Sequence, residues 1–265
     1  MKKIIGLAFL LTLLFGCGPG KKNDPDSDPT IDGQEKRMKD AITRYPDSTL
    51  LKENLAQYYR DNGTYDKALA VITEALSKDT SNARLWDIKG ILYFENNDTL
   101  NSIQAFEKAV SFYPDPQYMM SLGSLYAQTR NNRALVIADL LMSNKNAKAG
   151  KEALFIKGLY YNYTGDKKQA ISFFDQCLAM DYTYMIAYRE KAIALYDQAL
   201  YEEALAVLEK ATILQNNFDE GYYWMGRCFE KMELKEQAID AYKTALIYDP
   251  EFQEAQDGLT RLGAK

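Results

Sequence analysis

From residue 49 to residue 250 the apolar positions fall in short runs with helical spacing, two runs to a unit, and the unit then repeats. In the first unit Leu51, Leu55, Tyr58 and Tyr59 form one run. Asp61-Asn62-Gly63-Thr64 is a turn signal, and Ala68, Val71, Ile72, Ala75 and Leu76 form the second run. A small residue marks the same place in every first run, at Ala56, Gly90, Gly123, Gly158, Ala192 and Gly226. The steps between them are 34, 33, 35, 34 and 34 residues. A period of this length predicts a stack of helix pairs, each burying its apolar face against the next. The pairs are expected near 49–82, 83–115, 116–149, 150–184, 185–218 and 219–250. Lone helices over 34–45 and 251–262 would shield the two ends of one elongated array.

The second runs carry small residues too, because helices approach closely only where the contact side chains are small. They are Ala68, Ser102, Ala134, Ala170, Ala204 and Ala238, then Ala75, Ala109, Cys177, Ala211 and Ala245. Larger partners lie between them, among them Ile72, Phe106, Phe174, Leu208 and Tyr242. Pro114 and Pro250 close two of the units.

These residues resemble the tetratricopeptide repeat (TPR) family. The second unit reads Trp86, Gly90, Tyr93, Phe106, Ala109, Pro114; the last reads Met225-Gly226, Phe229, Ala238, Tyr242, Ala245, Pro250. The resemblance covers residues 34–262 and implies an all-α, right-handed solenoid of about six helix pairs. The third unit departs from the pattern. Its turn is one residue shorter, and its second run is apolar nearly all round: Leu135, Val136, Ile137, Leu140, Leu141, Met142. Its closing link, Ser143 to Lys148, lacks the proline. Such a helix is expected to be more buried than its neighbours, with a kink or a second contact surface.

The first sixteen residues read as a targeting segment. Lys2-Lys3 precede a short apolar run, Ile4 to Phe15, too short to span a membrane. Leu14-Phe15-Gly16-Cys17 resembles the lipobox of bacterial lipoproteins, which implies a lipid on Cys17 and no spanning helix. Residues 17–33 then read as a flexible tether rich in Gly, Pro, Asp and Ser. The resemblance implies an outer-membrane lipoprotein, on the periplasmic face rather than the cell surface.

Loss of residues 1–16 would leave 30 basic against 37 acidic residues, which argues against nucleic acid as a partner. Cys177 and Cys228 fall two repeats apart at core positions and read as unpaired apolar thiols. The chain has no histidine, so the commonest general base and metal ligand are missing, and no phosphate loop occurs. Asp24, Asp26, Asp28, Ile31, Asp32 and Glu35 have calcium-loop offsets, but Pro29 stands where the sharp turn needs glycine. An acidic tether is expected there, with no metal and no cofactor. An enzyme is not predicted.

The resemblance makes the first helices the lining of a groove. The positions it implies are Asp87, Ile91 and Phe94; Met120; Phe155, Leu159 and Tyr163; Arg189, Ile193 and Tyr196; and Tyr223, Trp224 and Arg227. Aromatic residues and arginine are common interface anchors. The Lys/Asn clamp by which some relatives bind peptide C-termini is absent, since Glu53, Gln57, Asp87 and Ile91 occupy those positions. The expected function is a membrane-anchored scaffold that holds a protein or peptide of the cell envelope in this groove. Its layout is similar to pilotin-type and hydrolase-docking lipoproteins that assist envelope assembly. A glycan or other small ligand on the groove aromatics stays open, with Gln128, Asn162 and Asp197 as its polar neighbours. The sequence does not fix an oligomeric state.

Overall fold

The computed structural model describes residues 31–143 and 149–264. The targeting segment, Cys17, most of the tether and three of the calcium-loop acids (Asp24, Asp26, Asp28) lie outside the described residues, as does the link 144–148. All regular structure among the described residues is α-helical. A lone helix α1 (Ile31–Arg44) comes first. Six pairs follow: α2 (Thr49–Asp61) with α3 (Tyr65–Lys78), α4 (Ala83–Glu95) with α5 (Thr99–Phe112), α6 (Pro116–Gln128) with α7 (Arg133–Ser143), α8 (Gly150–Thr164) with α9 (Lys167–Met180), α10 (Met185–Tyr196) with α11 (Tyr201–Leu214), and α12 (Asp219–Lys231) with α13 (Lys235–Tyr248). Helix α14 (Gln253–Arg261) is the last among the described residues. The chain is an all-α repeat fold. No described helix is long and apolar enough to cross a membrane.

Helix starts follow from capping. The side chains of Ser48, Asn82, Asp98, Asp115 and Asp166 each accept a backbone N–H two or three residues on. Each turn inside a pair holds one residue in left-handed conformation: Gly63, Asn97, Arg130, Gly165, Ala199 and Glu233. Three of the marker glycines, Gly90, Gly158 and Gly226, are where paired helices touch, while Gly123 comes nearest Ile156 of α8. A methyl on Gly90 would lie 2.5 Å from the Phe106 ring, and one on Gly226 would lie 2.6 Å from Tyr242. Gly158 meets Phe174 in the same way.

The chain divides into two compact units, residues 1–114 and 115–265. In the first, α2 to α5 pack in succession over a core of Leu55, Tyr59, Ile72, Leu76, Leu85 and Leu92. Helix α1 covers its start with Met38 and Ile42, and Tyr59 donates to Glu35 at 2.8 Å. It begins three residues ahead of the expected helix, so Asp32 and Glu35 are helical; Glu35 is held by Lys39 at 2.6 Å. No cluster of acidic or thiol groups among the described residues suits a metal ion.

In the second unit each first helix touches the next, α6 to α8 to α10 to α12 to α14, with the second helices packed behind them. Helix α14 buries Ala255 and Leu259 in a core shared with Tyr223, Trp224, Cys228 and Tyr242. Helix α7 overturns the expectation of unusual burial. Ala134, Ile137, Ala138 and Leu141 are buried, but Val136, Leu140 and Met142 are exposed. Two helices, α6 and α8, pack on α7, and they cover one face of it.

Candidate functional site

The positions expected to line a groove separate into three groups, with Arg189 apart from all of them. Asp87, Ile91 and Phe94 lie on α4 in the first unit, with Asp87 buried and the other two half-buried. The rest lie on the row of first helices in the second unit.

On that row Met120, Phe155, Leu159, Tyr223 and Trp224 are buried. Phe155 is fully enclosed, its ring 5.8 Å from Phe174 and 5.5 Å from Tyr184. Tyr223 lies 5.0 Å from Phe252, just ahead of the end helix, and 5.9 Å from Tyr242. These five side chains hold the stack together and offer little surface. The physical reason is that α8 and α12 have neighbours on several sides, so an apolar residue facing a partner and one facing the core look alike in sequence.

The surface is left to Tyr163, Ile193, Tyr196 and Arg227, all half-buried. Arg227 is the centre of an aromatic cluster. Its guanidinium lies 5.3 Å from the Tyr196 and Trp224 rings and 5.8 Å from Tyr223. It donates to the Tyr223 hydroxyl at 2.9 Å and to the Tyr196 hydroxyl at 3.2 Å. Among the described residues it has no carboxylate partner, although a guanidinium is always charged. Among the described residues two of its five N–H donors are used.

Arg189, one turn from Ile193, is buried and neutralised. Its Nη1 reaches both Glu220 oxygens at 2.6 Å, and its Nε donates to Glu190 at 3.1 Å. Burial pushes the Glu190 carboxyl above its ordinary value, against the pull of Arg189. Burial and then the charge of Glu190 raise the Tyr163 phenol as well. The two carboxylates share one guanidinium that ties α10 to α12, an ion triad rather than a free acid facing a free base. Lys167 makes a similar tie, donating to Asn162 and pairing with Asp197 at 2.6 Å. Glu190, Glu220 and Lys167 escaped the sequence reading. Glu220 comes 31 residues after Arg189, one repeat on, and no local motif links them.

Family models described as tetratricopeptide repeat match residues 35–83 and 53–118, and again 151–184 and 219–252, together more than half of the chain. Stress-induced-phosphoprotein 1 of Caenorhabditis elegans is 24% identical over 196 residues, which are 73% of this chain and 58% of that protein. An Hsp70-Hsp90 organizing protein of Triticum aestivum is 23% identical over 195 residues, 74% of this chain and 30% of that protein. The chain thus spans little more than half the length of these curated relatives, or less. A tetratricopeptide repeat protein of Parabacteroides merdae superposes with a TM-score of 0.71 at 21% identity, covering 88% of this chain and 92% of that one. PilW, described as a type IV pilus biogenesis factor, superposes with a TM-score of 0.60 at 17% identity, covering 79% and 97%. Both structures are alike in fold.

Proposed function

The chain belongs to the tetratricopeptide repeat family, and from that premise we propose that it is a protein-interaction scaffold whose second unit receives an extended segment or a helix of a partner protein. The observation that carries this reading is the half-exposed set Tyr163, Ile193, Tyr196 and Arg227 on three consecutive first helices. Aromatic and arginine side chains held by their own neighbours lose little entropy on binding, which is what makes such residues anchors. The reading assigns no catalysis, cofactor or nucleic acid to the chain.

The finer part of the proposal is an outer-membrane anchor through a lipid on Cys17, with the repeats facing the periplasm and an envelope protein as partner. Its support is the basic start, the short apolar run and Leu14-Phe15-Gly16-Cys17. The test uses the full chain in its own cells, with a photo-crosslinking residue at position 163 or 193. Controls carry it at the exposed second-helix positions 209 and 243. One protein adduct from 163 and 193 that is absent from 209 and 243 supports the row as the binding face. Equal adducts from all four sites, or none, overturn it. Metabolic labelling with an alkyne fatty acid, lost in Cys17→Ala, tests the anchor separately.

A further inference from the structure

Two surface cavities occupy the same place in two repeats. One, about 590 Å³, lies between α4 and α5 and is lined by Trp86, Lys89, Tyr93, Asn101, Gln104 and Lys108 among others. The other, about 380 Å³, lies among α9, α10 and α11 and is lined by Tyr188, Lys191, Lys210 and Asp175 among others. A shift of 102 residues, three repeats, carries Trp86, Lys89 and Lys108 onto Tyr188, Lys191 and Lys210. The same shift carries the start and end of α3 onto those of α9.

The two sites differ in charge. In the second, Asp175 pairs with Lys191 at 2.6 Å. The residue equivalent to Asp175 is Thr73, which has no charge to offer. Lys89 accordingly has no carboxylate within ion-pair distance among the described residues. Its ammonium lies instead 5.3 Å from the Trp86 ring and 5.8 Å from Tyr93. Burial holds its pKa below the ordinary lysine value, with no opposing charge to offset it. Glu107 also lines the wall, so Lys89, Lys108 and Glu107 leave the cavity with an excess of one positive charge.

We propose that the cavity between α4 and α5 binds an acidic sugar, whose carboxylate supplies the counter-charge that Asp175 supplies to Lys191. Three features select this class. Lys89 and Lys108 give charge-assisted donors for one carboxylate. The rings of Trp86 and Tyr93 give an apolar wall for the C–H face of a sugar. Asn101 and Gln104 give amides for neighbouring hydroxyls. The volume is that of a small-molecule site. This site is on the first unit and does not depend on the scaffold reading of the second.

The test is calorimetric titration of the folded chain at low salt with a glucuronate-containing tetrasaccharide. The same saccharide with its carboxyls reduced to alcohols is the neutral control, and benzoate and inorganic phosphate are the non-sugar controls. The acidic saccharide is expected to bind about tenfold tighter than its reduced form, the worth of one charge-assisted contact. Lys89→Met should abolish that preference. Thr73→Asp, which rebuilds the counter-ion found in the other repeat, should abolish it too. Lys191→Met should leave it intact, and circular dichroism melts of all three variants should match the parent. Equal affinity for acidic and reduced saccharide overturns the proposal, as does a preference that survives both Lys89→Met and Thr73→Asp. Benzoate or phosphate binding as tightly as the saccharide overturns the assignment to a sugar.

Discussion

Ala199 and Glu233 sit at φ 61°, a conformation that costs a side chain with a Cβ about 1 kcal/mol or more. Both hold the turn of a helix pair, and Gly63 and Gly165 do the same work without the cost. Ala199→Gly is therefore expected to stabilise the protein by about 0.5 kcal/mol, the strain relieved less the entropy that glycine loses. Urea unfolding checks this, and a loss of stability would show that the methyl has a packing role. The turn at Gly63 is visible in sequence because Asn-Gly favours it. The turns at Arg130, Ala199 and Glu233 are not, because the two packed helices impose the conformation on residues with no preference for it. Cys177 and Cys228 are buried, and burial pushes both up to about 12. Native protein at pH 8 should resist a maleimide at both positions, and urea should open both to it. Fast labelling of either cysteine in the native state would contradict its burial.

At the scale of the element, the contact between paired helices depends on one position. A methyl at Gly158 would overlap the Phe174 ring, which is itself fully buried and cannot swing away. Gly158→Ala should cost about 1–3 kcal/mol although alanine favours helix, because overpacking outweighs propensity. If the thermal midpoint rose instead, the close approach of α8 and α9 would be wrong. This contact was legible, since the small residue recurs at every repeat. Which face of each helix meets solvent was not. Phe155 and Tyr163 sit eight residues apart on α8, yet the first is enclosed and the second half-exposed. With α6, α7, α9 and α10 all touching α8, its apolar residues run round the helix and the period carries no facing information. Between elements, Lys151 on α8 pairs with Asp181, after α9, at 2.5 Å. Lys151, with the hydroxyl and N–H of Thr183, holds the Asp181 carboxyl down at about 2, below its ordinary 3.8. A depressed carboxyl contributes stability above its unfolded value and loses it as pH falls through the folded one. The contribution should be complete above about pH 5, shrink as pH falls through about 2 and be gone by about pH 1; it is about 1 kcal/mol after allowance for partial exposure. Asp181→Asn should flatten that part of the pH profile. An unchanged profile would mean that the pair is open in solution.

At the scale of the molecule, the period could be read but the division could not. Pro114, the last residue of the first unit, and Pro250, near the end of the second, stand at the same point of the repeat, 136 residues apart. A proline that closes a repeat therefore looks the same at the boundary of a unit and inside one. Helix α14 is a different case, because its job follows from the physics of stacking: each repeat is stabilised by its neighbour, and α14 packs on the pair α12 and α13. Here α14 supplies Ala255 and Leu259, and Gly258 lets the Tyr242 ring come close against it. Arg261 ties the helix down through Glu230 at 3.0 Å. Removing residues 251–265 would open Tyr223, Trp224 and Tyr242 to water together. The truncated chain should melt several degrees lower, since each 1 kcal/mol moves a domain of this size by about 2–4 °C. Trp224 emission should shift to the red in a Trp86→Phe background, where it is the only tryptophan. A truncation that melts and emits like the parent would show that the aromatic cluster around Arg227 is self-supporting. In that case Arg227 and Tyr196 would be held by the cluster alone, and α14 would be a second surface open to a partner rather than a lid on the stack.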